Sequence, residues 1–309
     1  MSIAITIIGG YLGAGKTTLV NHLLQRAGVG SQYGRVAVLV NDFGDVNIDE
    51  ALISEVSEDT IKLTNGCICC SLVEGLAMAL DGLRQLEDPP ERLVIETSGV
   101  ADPTQLAAYA QIPGFHLDAI IVLADAETVR KRARDKYVGD LVRQQLAAAD
   151  IVGLNKVDLV DTETADDLKR WLQGMIPGAV VVPVANAAID PEVLFANTTP
   201  PRAGVVSDGP ANTPPATVHH EQLFESFSWQ SDRSLSRAEL DRWLAELGDD
   251  VVRVKGFVTV SDQPETHLVV QRVGSRVNVH RSDQVLSGFS AELVLIRLKG
   301  ATESPTWPC

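Results

Sequence analysis

The chain has 309 residues, of which 45% are hydrophobic and 22% are charged, a composition typical of a globular protein with room for two domains. Its formal net charge of −15 disfavours nucleic acid and anionic membranes as partners, because an acidic surface repels phosphate. The sequence has no apolar run of about 18 residues, and residues 1–8 lack a basic segment followed by a long apolar core. We therefore expect neither a membrane span nor a signal peptide.

A glycine-rich segment after the first apolar run indicates a phosphate-binding loop. Residues 3–8 predict a buried strand, and residues 16–25 predict the helix that crosses back over the sheet. Between them, residues 10–17 match G-x-x-x-x-G-K-[ST], in which backbone N–H groups and a helix N-terminus surround phosphate oxygens. We expect Lys16 to contact the β- and γ-phosphates and Thr17 to bind Mg²⁺. The predicted phosphate-binding residues are Gly10, Gly13, Ala14, Gly15, Lys16, Thr17 and Thr18.

Acidic residues follow two further predicted strands. Residues 36–40 form an apolar run that precedes Asp42, and residues 93–96 form another that ends in Glu96. In α/β folds, ligands bind at the carboxyl ends of parallel strands. We expect Glu96 to hold the second side of Mg²⁺, a position that P-loop enzymes usually give to Asp, and Asp42 is a further candidate ligand. Gly99 is a candidate for a backbone N–H that faces the γ-phosphate.

Three of the four cysteines, Cys67, Cys69 and Cys70, fall within one tetrapeptide. Clustered thiols suit metal or redox chemistry in a reducing compartment better than a disulfide framework, so we expect a cytoplasmic location. Ser71 and Glu74 match a capping box, which places the thiols just before a helix N-terminus, where the metal-binding thiolate is favoured. The set suits Zn²⁺, Co²⁺ or Cu⁺ if other groups complete the shell. The alternative is that these cysteines pack as small hydrophobic residues.

Residues 155–158, Asn-Lys-Val-Asp, follow another predicted buried strand and indicate a guanine-binding loop. The Asp158 carboxylate can accept hydrogen bonds from N1–H and the 2-amino group of guanine, whereas adenine offers a donor at neither place. Lys156 can cover the face of the base, and Asn155 can tie this loop to the phosphate-binding loop. Residues 185–187 are placed to contact the guanine oxygen. The predicted nucleotide is therefore GTP.

The order of strands and helices predicts an α/β fold, with a P-loop NTPase domain on a mostly parallel sheet and a small α+β C-terminal domain. Residues 196–218 contain five prolines and little apolar content, as an extended linker does. After the linker, Ser236 and Glu239 match a capping box for a helix, and five stretches read as strands. The predicted divisions are residues 1–195, the linker 196–218, residues 219–300 and a tail, 301–309.

Some charged stretches carry no assigned chemistry. Residues 126–149 are predicted to form one helix, whose basic run at residues 130–132 is interpreted as a solvated face. The acidic residues 45–59 fit a solvated loop and a nucleotide-sensing switch equally well. His219 and His220 close the linker, and we interpret them as solvent-exposed, with transient metal binding as the alternative.

The order of these motifs resembles that of CobW-type GTPases. The phosphate-binding loop, residues 66–70 (Gly-Cys-Ile-Cys-Cys), residues 96–99 (Glu-Thr-Ser-Gly) and residues 155–158 follow the family order, and residues 253–257 resemble a strand start in its C-terminal domain. The resemblance implies a GTP-dependent metallochaperone or metalloenzyme activator, in which Mg²⁺·GTP builds a metal site at the cysteines and hydrolysis releases the metal. Two features differ: Asp42 stands where the family commonly has Glu, and only two histidines replace a histidine-rich stretch.

The sequence thus predicts a Mg²⁺-dependent GTPase that binds Zn²⁺ or Co²⁺ and delivers it to a client metalloenzyme through the C-terminal domain. The predicted catalytic residues are Lys16, Thr17 and Glu96, and the predicted metal ligands are Cys67, Cys69 and Cys70. Three other hypotheses stay open. In the first, the protein is a nucleotide-dependent scaffold that activates a metalloenzyme without carrying metal. In the second, it is a P-loop kinase of small molecules, which would prefer ATP, and Asp158 argues against this. In the third, it is a thiol redox protein.

Overall fold

The computed structural model describes residues 2–26, 34–40, 60–63, 72–195, 224–281 and 290–299. The chain separates into two compact units, Met1–Leu194 and Phe195–Cys309, and each is described by itself. Within the described residues, no helix combines the length and the apolar character that crossing a bilayer requires.

The first unit is built on a parallel sheet. Its described strands are β1 (Ile3–Gly10), β2 (Val36–Val40), β3 (Thr60–Leu63), β4 (Arg92–Glu96), β5 (Phe115–Asp125), β6 (Ile151–Asn155) and β7 (Val180–Pro183). Their order across the sheet is β3-β2-β4-β1-β5-β6-β7, and all neighbours in it are parallel. Since parallel strands end at the same edge, the segments that follow β1, β4, β5 and β6 converge there.

Helices connect these strands and cover the sheet. The described helices of this unit are α1 (Lys16–Arg26), α2 (Leu72–Arg84), α3 (Pro103–Ala107), α4 (Val129–Ala133), α5 (Gly139–Ala147), α6 (Thr162–Met175) and α7 (Pro191–Phe195). All positions of β1, β4 and β6 are buried, as expected of strands with both faces covered. The predicted α/β class is confirmed.

The first two predicted elements of this unit are present with small changes at their ends. The strand predicted at residues 3–8 runs two residues further, and the helix predicted at residues 16–25 is α1. Leu76, Leu80 and Leu83 recur at helical spacing, and all three are buried in the core. Burying each leucine contributes about 1.5–3 kcal/mol, which fixes α2 on the sheet.

The single helix predicted at residues 126–149 is wrong, because the structure contains α4 and α5 separated by residues 134–138. The carboxylate of Asp135 accepts the backbone N–H groups of Tyr137 and Val138 at 2.8 and 3.2 Å. In a continuous helix, these groups would bond to carbonyl groups four residues earlier. The same two hydrogen bonds lower the pKa of Asp135. Local side-chain bonding thus interrupts the helical pattern.

The interpretation of the basic run as a solvated face is also wrong for part of it. The Arg130 guanidinium donates to the Asp167 carboxylate at 2.6 Å and lies 5.2 Å from the Trp171 ring centroid, so it joins α4 to α6. Arg132 is exposed, but its guanidinium lies 5.4 Å from the ring of Tyr11, directly after β1. The run therefore packs on two neighbouring elements.

The second unit combines an antiparallel sheet with one described helix, α8 (Arg237–Glu246). Its described strands are β8 (Phe224–Ser231), β9 (Val251–Thr259), β10 (His267–Val273), β11 (Arg276–Arg281) and β12 (Ala291–Leu298). Their order is β11-β10-β9-β12-β8, with antiparallel neighbours throughout. The predicted α+β character is confirmed.

The helix of this unit begins as its sequence predicts. The Ser236 hydroxyl accepts the Glu239 N–H at 3.3 Å, and the Glu239 carboxylate accepts the Ser236 N–H at 2.7 Å. This capping box lowers the pKa of Glu239, chiefly through the backbone hydrogen bond. Leu240, Trp243 and Leu244 are buried against the sheet, so one face of α8 closes the core of this unit.

Candidate nucleotide site

The turn between β1 and α1 requires glycine at two positions. Gly13 and Gly15 have φ angles of +79° and +105°, a region that residues with a Cβ rarely adopt. A Cβ on Gly15 would also lie 2.5 Å from the amide nitrogen of Asn155. Between the two glycines, Ala14 is buried and its N–H donates to the Tyr11 carbonyl at 3.1 Å. The φ angles and the close approach of Asn155 therefore explain Gly13 and Gly15.

The N-terminal end of α1 is suited to an anion. Lys16 opens the helix, is 8% exposed, and donates from Nζ to the Gly10 carbonyl at 3.0 Å across the loop. The first turn contains Thr17 and Thr18 and carries no acidic side chain. The first N–H groups of a helix have no hydrogen-bond partner within the helix. Together with the ammonium group of Lys16, they make the electrostatic potential at this turn positive.

Thr17 and Glu96 meet at the carboxyl edge of the sheet. The Thr17 hydroxyl donates to Oε1 of Glu96 at 2.8 Å, and Glu96 is 2% exposed. The pair forms because Glu96, the last residue of β4, is in register with Ile8 of the neighbouring strand β1. The loop that follows β1 leads to α1, whose first turn contains Thr17. A hydroxyl beside a carboxylate is an oxygen donor set of the kind that Mg²⁺ prefers. The residues present therefore fit this cation.

The segment after β4 lies against the phosphate-binding loop. The Thr97 N–H donates to the Ile8 carbonyl at 2.9 Å. Gly99 is buried, and a Cβ added to it would lie 2.8 Å from the backbone nitrogen of Leu12. The hydroxyl oxygens of Thr97 and Ser98 are buried without a hydrogen-bond partner among the described residues. Sequence reasoning assigned them no role, although their position directly after a buried strand was a signal.

Asn155 links the end of β6 to the phosphate-binding loop, as its sequence position predicts. Its side chain is 2% exposed, and Nδ2 donates to the Ala14 carbonyl at 2.8 Å. Its Oδ1 accepts the Ala187 N–H at 2.7 Å, which fixes the loop at residues 185–187 as well. One amide thus holds together two loops that are predicted to contact phosphate and base.

The residues after Asn155 present a lysine and an exposed carboxylate. Lys156 has a φ of +63°, and its Nζ donates to the carboxylate of Asp125 at the end of β5. Asp158 lies exposed in the short 3-10 turn Val157–Leu159. Sequence reasoning missed Asp125, which ends an apolar strand at the same edge of the sheet. The ion pair directs Lys156 towards β5 and leaves Asp158 accessible to a ligand.

The predicted nucleotide and Mg²⁺ residues within the described part of the chain converge at this edge. Other predicted residues lie outside the described residues, namely Asp42, Cys67, Cys69, Cys70, the cap Ser71, His219 and His220. In the part of the chain that the structure describes, no three His, Cys, Asp or Glu side chains form a metal-ligand cluster. The described site therefore brings together predicted nucleotide and Mg²⁺ residues, and its relation to the cysteines stays a prediction.

Both units match known protein families. Residues 4–183 match the CobW/HypB/UreG nucleotide-binding domain, which is more than half of the chain. Residues 224–303 match the C-terminal domain of the cobalamin synthesis protein cobW. The family matches therefore cover both the parallel-sheet unit and the antiparallel-sheet unit.

Curated relatives match most of the chain. The zinc chaperone YjiA of Escherichia coli (strain K12) is 32% identical over 288 residues, covering 88% of this chain and 87% of that protein. The zinc chaperone CobW of Sinorhizobium sp is 30% identical over 320 residues, covering 88% and 86%. Among solved structures, Zn(II)-bound YjiA GTPase from E. coli covers 97% of this chain and 95% of its own at 25% identity, with a TM-score of 0.47.

Proposed function

We propose that this chain, which belongs to the CobW/HypB/UreG nucleotide-binding family, is a cytoplasmic GTP-hydrolysing metallochaperone for a transition metal. The observation that carries the proposal is the convergence of the phosphate-binding loop, the Thr17–Glu96 pair and Asn155 at one edge of the parallel sheet. Relatives of similar length are named zinc chaperones, and this supports a metal as the cargo.

The base-binding part of the proposal depends on Asp158. Its carboxylate is exposed beside the loop that Asn155 fixes, so it is available for the two donors on one edge of guanine. ATP offers no donor at either place, and binding it would leave the carboxylate without partners. Lys156, paired with Asp125, would lie along the face of the base.

For hydrolysis, the described residues supply binding and charge stabilisation. Thr17 and Glu96 would hold Mg²⁺, which supplies positive charge at the β- and γ-phosphates. Lys16 would donate to the transferring phosphoryl group, and the N–H groups of the turn would bind the α- and β-phosphates. We propose Gly99 as a further N–H donor to the γ-phosphate, since it lies against the backbone of Leu12.

The cargo site is proposed at Cys67, Cys69 and Cys70, which lie between β3 and α2 in the chain. Three thiols offer ligands that Zn²⁺ and Co²⁺ accept, and the names of the relatives favour Zn²⁺. GTP binding would draw the thiols into ligand geometry, and hydrolysis would release the metal. The C-terminal unit would contact a client metalloenzyme, and a relative from Dictyostelium discoideum is named a metalloprotein activator.

A metal competition titration tests this coupling. Zn²⁺ affinity is measured against a chromophoric chelator, with a non-hydrolysable GTP analogue or with GDP bound to the full chain. The analogue should tighten Zn²⁺ binding by about tenfold or more, the size of an ordinary coupling between two sites. A Cys67→Ala, Cys69→Ala double variant should lose the effect, and Cys309→Ala, a thiol remote in sequence, should retain it. Equal Zn²⁺ affinity in both nucleotide states would contradict the proposal.

A further inference from the structure

Gln145 of α5 is a buried amide that bonds to two carbonyl groups of the segment after β4. The side chain is 1% exposed, and its Nε2 donates to the Gly99 carbonyl at 3.2 Å and to the Ala101 carbonyl at 2.8 Å. Because both neighbours are acceptors, only the NH₂ group can face them, and this fixes the orientation of the amide. Gln145 therefore holds this segment to α5.

Burying this amide has a cost that the core does not require. Its Oε1 is buried and has no hydrogen-bond partner among the described residues. The side chain borders a cavity of about 20 Å³, whose lining is mostly apolar and includes Ala14 and Leu146. An apolar side chain of similar length would fill this place without an unbonded amide oxygen, but the carbonyl groups of Gly99 and Ala101 would lose this donor. The two bonds to the segment after β4 are thus the distinctive contribution of the glutamine.

The segment that Gln145 holds is fitted closely to the phosphate-binding loop. A Cβ on Gly99 would lie 2.5 Å from the Leu12 side chain, and a Cβ on Gly9 would lie 2.7 Å from the ring of Pro103. Neither glycine has room for a side chain, so the backbone packs directly against its neighbours at both positions. The Gly99 carbonyl, and with it the neighbouring peptide groups, is set by Gln145 relative to the loop.

The preceding residue on α5 offers an internal comparison. Gln144 is exposed, and its Nε2 donates to the Asp102 carboxylate at 2.7 Å, while the other oxygen of Asp102 caps α3 through Thr104. Gln144 thus contacts the same segment at the surface, further from Gly99. Two adjacent glutamines of identical chemistry therefore differ in burial and in whether they reach the residue beside the phosphate-binding loop.

We propose that Gln145 is a positioning residue that holds Gly99 where its N–H meets the γ-phosphate of GTP. The inference rests on the proposed GTPase function. GDP has no γ-phosphate, so loosening Gly99 weakens binding of the triphosphate and slows hydrolysis while binding of the diphosphate stays the same. A residue that only stabilises the fold would weaken both nucleotides together.

The test replaces Gln145 by methionine, which has similar length and no donor. Affinities for GDP and for a non-hydrolysable GTP analogue are measured by titration of the full chain, and single-turnover phosphate release gives the hydrolysis rate. In Gln145→Met, the preference for the analogue over GDP should fall about tenfold, as expected for the loss of two modest hydrogen bonds, with a slower rate and unchanged GDP affinity. Gln173→Met, on the exposed face of α6, is the matched control, and Gln144→Met should show a smaller effect.

Gln145→Glu supplies an independent test by pH. A carboxyl group at this position donates a hydrogen bond only while protonated, so the defect relative to the native chain should shrink as the pH is lowered, whereas the Gln145→Met defect should not. An unchanged preference for the analogue, or an equal loss for both nucleotides, would overturn the role of Gln145. Failure of the native chain to bind GTP would instead overturn the proposed function.

Discussion

The two units of the chain both bury polar side chains in their sheets, but these side chains have different partners. In the parallel-sheet unit, Glu96 and Asn155 are the last residues of β4 and β6, and their partners lie in other segments. In the antiparallel-sheet unit, Arg272 lies within β10, and Arg297 of β12 donates to Glu225 of the neighbouring strand at 2.6 Å. The first arrangement brings several segments to one point, and the second braces the sheet and the chain that enters it after α8.

Arg272 shows how such bracing works. Its guanidinium donates to the carbonyl groups of Val251 and Leu247 at 3.0 Å each and of Gly248 at 3.4 Å, which are groups at and beyond the end of α8. Burial lowers the pKa of Arg272, and the nearby acidic side chains oppose this shift only in part. Hydrogen bonds within the second unit thus account for the burial of Arg272.

The largest expected effect is on Glu96, which tests the functional side of this comparison. Glu96→Gln retains an acceptor for the Thr17 hydroxyl and loses the charge that would hold Mg²⁺. We expect single-turnover GTP hydrolysis to fall by about a thousandfold at saturating Mg²⁺, with an unchanged thermal midpoint. Glu87→Gln, at an exposed position, is the control. A rate close to that of the native chain would remove Glu96 from the site.

The second effect, on Arg272, tests the structural side. Arg272→Met removes the guanidinium donor from three carbonyl groups, of which that of Gly248 still accepts the Val251 N–H at 3.1 Å. We expect the second unit to lose about 2–4 kcal/mol of unfolding free energy. The change is measured by denaturant unfolding, and GTP affinity should be unaffected. Arg281→Met, exposed at the end of the edge strand β11, should cost little. Weakened GTP binding in Arg272→Met would break the division between the units.

The third effect concerns base selection by Asp158. Asp158→Asn replaces an acceptor with an amide that cannot accept both guanine donors, so GTP affinity should fall about 30-fold, with a smaller change for ATP. Xanthine carries an oxygen in place of the 2-amino group, and its triphosphate should bind the variant better than the native chain. Asp166→Asn, exposed on α6, is the control in both titrations. Unchanged GTP affinity would place the base elsewhere.

The smallest expected effect is at the ion pair between α4 and α6. The hydrogen bond from the Arg130 guanidinium lowers the pKa of Asp167, so the pair stabilises the fold above the ordinary Asp value and loses this contribution as the pH falls through the lowered value. The thermal midpoint of Asp167→Asn should lie slightly below that of the native chain at neutral pH. The difference should shrink as the pH falls through the lowered pKa of Asp167 and vanish well below it. A constant difference at all pH values would assign it to packing instead.

Much of the site could be predicted because the positions of its residues follow from the local sequence and from the order of the strands. The turn before α1 needs Gly13 and Gly15 for their positive φ angles, and the motif spacing places Lys16 at the start of the helix. The Thr17–Glu96 pair follows from a parallel strand that ends in a carboxylate beside β1. Here, local sequence and strand order together determine the geometry.

What could not be predicted depends on tertiary contacts. Asp135 ends α4 through two backbone hydrogen bonds, a competition that hydrophobic periodicity does not register. Gln145 reads as an ordinary helix residue, yet its partner Gly99 lies 46 residues earlier in the chain. Asp125 likewise acquires its ion pair with Lys156 only when β5 and β6 lie side by side. Such roles become visible when the fold brings distant segments together.

Calorimetric titration of the full chain with GTP and with ATP, at the same Mg²⁺ concentration, tests most directly whether the carboxyl edge of the parallel sheet is a guanine nucleotide site. The geometry around Asn155 and Asp158 predicts one-to-one binding of GTP and an affinity for ATP that is about a hundredfold lower. Equal affinities, or tighter binding of ATP, would contradict the account.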